Sequence, residues 1–435
     1  MIKPEDTIIT TLGEPKYPSP LREKEWSAGG APFISDKAKA RYQAEIGVAR
    51  ERPADVFFEI AGPRAMIFFK PQETKAAIVT CGGVSPGLNN VIRSATHAWT
   101  MNYGVREVYG IRYGYQGLNP AVGEPPVLLN IDKVDGINED GGTVLGTSRG
   151  KVEAGVMVDF LQKEKINILL CIGGDGTQRG AHEIFSEAQR RKIPLAVIGI
   201  PKTIDNDIPF VSRTFGFTTA LEKAKEILDG AHTEATSVFN GIGLVKLMGR
   251  SSGFIACGAT LANQNVNFTL IPEVPFKLEG KNGFLEALRK RLLARRHAVI
   301  VVAEGAGQEF LGELRKETDA SGNRLFKDIG EYLRQKIITY FREQNIPVGM
   351  KYFDPSYIIR SVPADCADSI LCDQLARMAV HAGMAGKTGL LIGLTNNIRV
   401  HVPIATVVKE KKRVYPDGDL WLSVLAATNQ PPVFR

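Results

Sequence analysis

Short apolar runs alternate with helix-like periodicity from residue 76 onwards. Runs of five to seven mainly apolar residues occupy 76–80, 166–172, 195–200, 241–247 and 298–303. Between them, apolar residues fall on one face of a helix, as do Leu88, Ile92, Ala95 and Trp99. Continuous apolar strands that alternate with helices are typical of parallel sheets covered on both faces. The pattern therefore predicts two doubly wound, Rossmann-like α/β domains.

The first 75 residues do not follow this pattern. They are rich in proline and charge and show little periodicity. We therefore expect an N-terminal arm rather than a core element.

The composition is that of a globular protein, with 44% hydrophobic and 23% charged residues among 435. No stretch approaches the ~18 apolar residues that span a bilayer, and the first ten residues lack the apolar run of a signal peptide. Lys and Arg exceed Asp and Glu by 54 − 47 = 7. This modest excess suits small anionic substrates and does not require nucleic acid. We expect a cytoplasmic protein with no membrane or nucleic-acid partner.

The five cysteines are scattered without a CxxC pair, and we expect reduced, mostly buried thiols. The six histidines form no HxH, HExxH or Cys/His cluster, so we expect no zinc site. Two basic clusters, 289–297 and 409–413, contain no interleaved aromatic residues. We expect them to be solvated faces, with an anion or effector site as the alternative.

Four polar, glycine-containing segments follow predicted strands: TCGGVSPGLNN (80–90), IGGDGTQRGA (172–181), PKTIDND (201–207) and AEGAGQ (303–308). Ligands of doubly wound sheets bind beyond the carboxyl ends of the strands. In the first segment, Gly82 and Gly83 allow backbone amides to approach an anion near a helix N-terminus. Strand-to-helix turns also need glycine for geometry alone, so this segment by itself leaves both interpretations open.

The second segment places Asp175 between glycines, where a carboxylate serves no packing purpose. It suits Mg²⁺ held next to phosphates, because Mg²⁺ prefers one or two carboxylates plus phosphate oxygens. The alternative is an Asp that caps the next helix, and the two roles can coexist.

The third segment places Asp205 and Asp207 two residues apart, directly after Lys202. In an extended segment both acids point toward one site. One could accept a proton from a hydroxyl while the other holds metal, with Lys202 offsetting negative charge. The alternative is an Asx-rich turn.

Three further arginines stand among small or loop residues. Arg250 in LMGRSSG can bind a phosphate bidentately, or it can form a surface salt bridge. Tyr357 and Arg360 in DPSYIIRSVP and Arg149 in GTSRG can equally be structural.

Taken together and in this order, GGDGT, PKTIDND, MGR, AEGAG and PSYIIR resemble the phosphofructokinase family, over about residues 76–410. The resemblance implies a nucleotide (donor) domain at 76–216 plus about 359–408 and a fructose 6-phosphate domain at 217–358. Residues 1–75 are then the arm, and 409–435 form a C-terminal tail. The implied reaction is in-line transfer of the γ-phosphate of ATP to the C1 hydroxyl of fructose 6-phosphate. It gives fructose 1,6-bisphosphate and ADP, the committed step of glycolysis.

The resemblance also implies roles for single residues. Asp205 would be the general base, Asp175 would bind Mg²⁺ with Asp207 close by, and Thr203 would contact the sugar or the transferred phosphate. Fructose 6-phosphate would be held by Ile204, Met248, Gly249, Arg250, Glu304, Tyr357 and Arg360. The donor would be lined by Gly82, Arg149, Gly173, Gly174, Asp175, Gly176 and Thr177.

Several positions depart from the short bacterial members of the family, which usually have glycine at Lys202, histidine at Tyr357 and arginine at Gly241. These departures favour the branch shared by pyrophosphate-dependent enzymes and plant-like or trypanosomatid-like ATP enzymes. A lysine at the position of Lys202 occurs in both the pyrophosphate-dependent and the plant-like ATP-dependent members, so it does not distinguish the donor. Gly176 favours ATP, because pyrophosphate-dependent members typically carry Asp there, and that carboxylate would repel the α-phosphate of a nucleotide.

Three alternatives stay open: a pyrophosphate-dependent enzyme, a non-catalytic relative that senses sugar phosphate or nucleotide, and a kinase of NAD or lipid. The family further implies a homodimer or homotetramer and allosteric control by an effector that the sequence does not identify.

Overall fold

The computed structural model describes residues 2–23, 33–43, 56–312 and 326–435. The chain divides into two compact units. Unit one comprises Met1–Thr203, Ile208–Gly216 and Val362–Lys411, and unit two comprises Ile204–Asp207, Phe217–Ser361 and Lys412–Arg435.

The strands within the described ranges run from two to seven residues. They are β1 (Thr10–Thr11), β2 (Tyr17–Pro18), β3 (Lys39–Arg41), β4 (Phe57–Ile60), β5 (Met66–Ile67), β6 (Lys75–Thr80), β7 (Glu107–Ile111), β8 (Val127–Leu129), β9 (Ile168–Gly173), β10 (Ala196–Pro201), β11 (Gly241–Leu247), β12 (Phe268–Leu270), β13 (His297–Ala303), β14 (Gly349–Phe353), β15 (Lys387–Thr388), β16 (Leu390–Thr395) and β17 (Ile398–Pro403).

The α-helices of the same ranges are α1 (Leu88–His97), α2 (Ala154–Lys163), α3 (Asp175–Arg190), α4 (Phe217–Thr236), α5 (Phe254–Asn263), α6 (Phe284–Arg295), α7 (Ile329–Glu343), α8 (Cys366–Met384), α9 (Ile404–Val407) and α10 (Asp419–Thr428). A π-helical turn, Ala98–Tyr103, continues α1. The five apolar runs predicted as strands lie on β6, β9, β10, β11 and β13.

Unit one is built on a nine-stranded sheet of order β3-β4-β17-β16-β10-β9-β6-β7-β8. Its centre, from β16 to β7, is parallel, whereas β8 and the strands β17, β4 and β3 pair antiparallel at the two edges. Side chains alternate between the two covered faces: Ile78 packs with Ile92 and Leu375, and its neighbour Val79 packs with Ile184. The predicted α/β class is confirmed, with antiparallel edges that the apolar runs did not reveal.

The described part of the N-terminal segment is integrated into unit one, which differs from the arm expected from the sequence. Strand β4 pairs with β17, and Phe58 is completely buried beside Phe210. The strands here have only two to four residues, too few for a periodic pattern to appear in the sequence. The domain limits inferred from the family resemblance stay predictions.

A buried ionic cluster ties this segment to the sheet. The Glu59 carboxylate lies 2.6 Å from Arg64, 2.8 Å from Lys387 and 3.0 Å from Nδ1 of His401. Asp36 contacts the same Arg64 and Lys387, at 2.7 and 2.9 Å. Burial alone would raise the pKa of Glu59, but His401 and Lys387 lower it to about 2. The cluster therefore favours the ionised carboxylate of Glu59.

Unit two contains a fully parallel four-stranded sheet of order β12-β13-β11-β14. Val245 and Val301 face a core with α4 and α5, while Leu244 and Ile300 face a core with α6 and α7. The C-terminal residues complete these cores, since Trp421 of α10 packs in the first and Phe434 in the second.

No helix in the described ranges is long and apolar enough to cross a membrane. All five cysteines are free thiols, and four of them are buried, whereas Cys366 is exposed.

Candidate active site

The loop after β6 is joined to the loop that contains Arg149. Gly82 adopts φ +83°, a left-handed conformation that favours glycine. Its amide donates to the carbonyl of Ser148 at 3.2 Å, and its own carbonyl accepts from the Thr147 hydroxyl at 2.6 Å. The structure thus brings together two predicted donor-lining residues, Gly82 and the exposed Arg149, through neighbouring loops of unit one.

Helix α3 begins directly after β9, with Gly174 as the N-cap and Asp175 in the first turn. A Cβ at Gly173 would overlap the Thr177 side chain, so packing alone requires glycine there. A Cβ at Gly176 would meet no described atom within 4 Å beyond its own turn of α3. Packing therefore explains Gly173 but does not explain Gly176, which is exposed at the helix N-terminus.

The Asp175 carboxylate is held by two cations that the sequence analysis did not identify. Nη2 of Arg179 lies 2.9 Å from Oδ2 of Asp175, and Nζ of Lys411 lies 3.7 Å from the same oxygen. Arg179 is four residues along the helix, a spacing that could have suggested the pair. Lys411 is more than 200 residues away in sequence, and no local pattern predicts its approach.

Lys202 is buried and joins two glycine loops. Its ammonium donates to the carbonyl of Gly83, and its backbone amide donates to the carbonyl of Gly173 at 3.1 Å. The lysine therefore places a positive charge beside the two loops predicted to hold the donor, all within unit one. Thr203, which follows it, accepts a hydrogen bond on its carbonyl from the Thr214 hydroxyl at 2.6 Å.

The PKTIDND motif contributes its first three residues to unit one and its last four to unit two. Ile204 is buried in unit two, and Asn206 adopts the left-handed φ of +52°. The segment is therefore a turn rather than the extended strand considered from the sequence. The expectation that Asp205 and Asp207 point the same way holds only for an extended segment, so this turn does not support it.

Backbone hydrogen bonds hold this turn in unit two. The Ser252 hydroxyl donates to the carbonyl of Asp205 at 3.2 Å, and the Lys412 amide donates to the carbonyl of Asp207 at 3.0 Å. Burial lowers the pKa of Lys412 to about 8, and the Asp207 carboxylate opposes this change. Two basic residues of the 409–413 cluster thus lie next to acids predicted for the site: Lys411 next to Asp175 and Lys412 next to Asp207.

Arg250 and Glu304 follow the adjacent carboxyl ends of β11 and β13. Gly249 has φ +136°, and a Cβ there would lie 2.6 Å from the carbonyl oxygen of Ser252, so only glycine fits this turn. Nε of Arg250 lies 3.4 Å from Oε1 of Glu304. Burial raises the pKa of Glu304, while the charges of Arg250, Lys246 and Arg360 oppose the rise.

Strand β14, on the other side of β11, leads to Tyr357 and Arg360. The Arg360 guanidinium carbon lies 5.0 Å from the centre of the Tyr357 ring, which is 72% exposed. Lys246, a lysine inside the apolar run of β11, lies 2.8 Å from Asp354 and 3.2 Å from Asp328. Lys246 is not among the residues predicted from the sequence, although a charged residue in an otherwise buried strand was a usable signal.

The predicted metal ligands do not form a protein cage. Among the described residues, no three His, Cys, Asp or Glu side chains come together as a metal site. Asp175 belongs to unit one and Asp207 to unit two. A single carboxylate next to a loop predicted to bind phosphates fits Mg²⁺ that is coordinated largely by phosphate oxygens, which is its usual manner of binding.

The sequence profile of the family described as Phosphofructokinase matches residues 75–383, well over half of the chain. The chain belongs to the phosphofructokinase family. The family resemblance and the fold class predicted from the sequence are confirmed.

Curated relatives of this phosphofructokinase cover almost all of it. It is 48% identical over 433 residues to the ATP-dependent 6-phosphofructokinase of Borreliella burgdorferi, covering 98% of this chain and 97% of that protein. It is 44% identical to ATP-dependent 6-phosphofructokinase 7 of Arabidopsis thaliana, covering 96% of this chain and 86% of that protein. The ATP-dependent 6-phosphofructokinase of Amycolatopsis methanolica is 41% identical, covering 99% and 96%. The names of these three relatives specify ATP.

Solved structures show the same fold at lower identity. The pyrophosphate-dependent phosphofructokinase of Marinobacter aquaeolei aligns with TM-score 0.67 and 20% identity, covering 82% of this chain and 91% of that one. Phosphofructokinase of Pichia pastoris aligns with TM-score 0.63 and 24% identity, covering 82% of this chain and 37% of that one. At these identities the likeness concerns the fold alone.

Proposed function

We propose that this protein is an ATP-dependent 6-phosphofructokinase. It transfers the γ-phosphate of ATP to the C1 hydroxyl of fructose 6-phosphate and releases fructose 1,6-bisphosphate and ADP. The observation that carries the proposal is similarity over nearly the full chain to relatives named for this activity.

The donor would bind in unit one. Gly82, Arg149 and residues 173–177 would surround its phosphates, which the free N-terminal amides and the dipole of α3 favour. The buried ammonium of Lys202 would offset part of their charge. The open space at Gly176 supports a nucleotide, because a carboxylate in that place would repel the α-phosphate.

Fructose 6-phosphate would bind in unit two. Arg250 and Arg360 carry the charge that a sugar phosphate requires, and Glu304 can accept hydrogen bonds from sugar hydroxyls. Met248, Gly249, Tyr357 and Ile204 of the same unit would complete the contacts. Arg250, Glu304 and Arg360 follow the carboxyl ends of β11, β13 and β14. Their location supports this assignment, since ligands bind at that edge of parallel sheets.

Asp205 would act as the general base. Its carboxylate would take the proton of the C1 hydroxyl while the C1 oxygen forms a bond to the γ-phosphorus. At the same time the bond between the γ-phosphorus and the β,γ-bridging oxygen would break, and ADP would leave. Arg250 and Thr203 would stabilise and orient the reacting groups, so that positioning and charge compensation supply most of the catalysis. Mg²⁺ would neutralise charge on the transferring phosphates, and Asp175 would be its ligand from unit one.

A coupled assay with each donor tests the proposal. We expect turnover of fructose 6-phosphate with MgATP and none with pyrophosphate. Turnover with pyrophosphate but not ATP would establish the alternative donor. Binding of both substrates without turnover would identify a non-catalytic relative, and phosphorylation of NAD or a lipid would identify another kinase.

We further propose a homodimer or homotetramer that is under allosteric control and acts in the cytoplasm. Membership in the family supports these points, although two Arabidopsis relatives are named chloroplastic, so location varies among relatives. Sedimentation velocity would test the oligomer, and fractionation of the source cells would test the location.

A further inference from the structure

The basic cluster KEKKR at residues 409–413, here called the lysine segment, contacts the predicted active site. The sequence predicts a solvated face for this segment, with an anion or effector site as the alternative. In unit one, Nζ of Lys411 lies 3.7 Å from Oδ2 of Asp175, at the first turn of α3. The Lys411 side chain is 32% exposed, so it is accessible to a ligand as well as to the carboxylate.

Two contacts within unit one position the start of the lysine segment near the N-terminus of α3. The short helix α9, which precedes the segment, packs against α3, and its residues Ile404 and Val407 share a core with Ala181 and Ile184 of α3. The Thr406 hydroxyl also donates to the carbonyl of Asp6 at 2.7 Å. The approach of Lys411 to the N-terminus of α3 thus follows from packing of the preceding helix.

The residues after Lys411 are fixed within unit two. The amide of Lys412 donates to the carbonyl of Asp207. One oxygen of Glu273 accepts from the amide of Val414 at 2.9 Å and from the amide of Gly253 at 3.0 Å. The chain before Lys411 is therefore anchored in unit one, and the chain after it is anchored in unit two.

The Lys411 ammonium near the N-terminus of α3 is not explained by a need to stabilise that helix. The N-terminus of a helix carries partial positive charge and favours anions, so a nearby ammonium is unfavourable unless an anion accompanies it. Asp175 supplies one such anion, but Arg179 already contacts the same carboxylate oxygen at 2.9 Å. Two cations directed at the phosphate-binding end of α3 fit an anionic ligand better than a single salt bridge.

We propose that Lys411 is a donor-binding residue whose ammonium contacts the polyphosphate of the nucleotide, an inference that rests on the proposed function. Lys411 would shift from Oδ2 of Asp175 to a phosphate oxygen when the donor binds, and the carboxylate would become available to the metal. Its contribution is to donor affinity, and it takes no part in proton transfer.

Lys411→Met tests this role, with Lys409→Met as the matched control from the same segment. Both changes remove one ammonium and keep an unbranched side chain. Lys409 is 61% exposed and pairs at 2.8 Å with Asp6, a surface ion pair of little energetic weight. Lys411→Arg keeps the charge and serves as the conservative variant.

The measurements are calorimetric Kd values for ATP and for its β,γ-imido analogue without fructose 6-phosphate, both KM values, and Tm. For Lys411→Met we expect the Kd and KM of the nucleotide to rise about tenfold, the typical loss for a hydrogen bond to a charged group. The KM for fructose 6-phosphate should stay within about twofold, because the proposed contact of Lys411 is with the donor in unit one. Lys411→Arg should recover most of the affinity, and Lys409→Met should bind ATP like the wild type.

Nucleotide affinity unchanged in Lys411→Met, with only Tm lowered, would overturn the proposal and leave Lys411 a structural counter-ion of Asp175. An equal loss in Lys409→Met would also overturn it, since the effect would then be general electrostatics. If the wild type uses pyrophosphate instead of ATP, the proposed function fails separately. In that case Lys411→Met must weaken pyrophosphate binding about tenfold for the role of Lys411 to stand.

Discussion

Arg250 and Glu304 form an ion pair, with 3.4 Å between Nε and Oε1, at the carboxyl ends of two neighbouring parallel strands. The pair is built by backbone register, because the amide of Glu304 donates to the carbonyl of Leu247 at 2.9 Å and the amide of Gly305 donates to that of Gly249 at 3.1 Å. A guanidinium oriented by a neighbouring carboxylate presents its remaining donors in a fixed direction.

Replacing Arg250 should therefore weaken sugar-phosphate binding. For Arg250→Lys we expect the KM for fructose 6-phosphate to rise at least about tenfold, because an ammonium cannot reproduce bidentate contact with phosphate. The KM for ATP should change little. Steady-state kinetics with each substrate varied in turn measures both values. Glu304→Gln, which keeps shape but removes charge, should produce a smaller rise; an Arg250→Lys enzyme with wild-type KM would contradict the assignment.

Gly176→Asp should impair ATP use without damaging the fold. The added side chain meets no described atom within 4 Å outside its own turn, and a carboxylate in the first turn of α3 suits the helix dipole. Tm should therefore be unchanged or higher. The KM for ATP should rise at least tenfold, since like charges 4 Å apart repel by about 4 kcal/mol at an effective dielectric constant of 20.

Gly176→Asn is the control for that variant, because it adds nearly the same volume without charge. A much smaller effect in Gly176→Asn would assign the loss to electrostatic repulsion. Equal KM and kcat for ATP in Gly176→Asp and the wild type would remove the argument that this position selects the donor.

Asp205→Asn should lower kcat by about two to four orders of magnitude, the usual contribution of a general base. The neutral amide cannot take the proton of the C1 hydroxyl, yet it keeps the shape of the turn. Far-ultraviolet circular dichroism and Tm should match the wild type. Ser252→Ala, which removes only the hydrogen bond to the carbonyl of Asp205, should retain most of kcat. Near-normal turnover in Asp205→Asn would refute the role of Asp205 as base.

The ionic cluster around Glu59 predicts how stability depends on pH. The pKa of Glu59 is lowered to about 2 in the folded chain from its usual 4.5, so its stabilising contribution is complete above about pH 4.5 and is lost as pH falls toward 2. The contribution is on the order of 3 kcal/mol, since one pKa unit corresponds to about 1.4 kcal/mol. Glu59→Gln should therefore have a lower Tm at pH 7.

The difference in Tm between Glu59→Gln and the wild type should shrink as pH is lowered from 5 to 3. Glu73→Gln is the control, because Glu73 is 67% exposed in a surface pair with Lys70 and should leave Tm nearly unchanged. If the difference in Tm between Glu59→Gln and the wild type stayed constant from pH 5 to 3, packing rather than ionisation of Glu59 would stabilise the cluster.

The sequence predicted those parts of the fold whose signal is local. Apolar runs longer than a turn identified β6, β9, β10, β11 and β13. The glycine-containing loops after them gave the candidate site residues, which stay predictions. The sequence did not reveal the short strands β3 and β4, because three or four residues are too few to show a period.

The ion pairs that the sequence did not predict depend on tertiary structure. Lys411 reaches Asp175 only because α9 packs against α3, and Lys246 is placed between Asp354 and Asp328 by strand pairing. The turn at Asn206 also escaped prediction, since asparagine adopts the left-handed conformation in some contexts and not in others.

The chain passes between its two compact units five times, at 203/204, 207/208, 216/217, 361/362 and 411/412. Neither unit is therefore one continuous stretch of sequence. A gene fragment that ends at any single codon inside this region encodes an incomplete piece of one unit or of both. The two units therefore cannot be exchanged separately by a single crossover between genes, and each needs the rest of the chain to be complete.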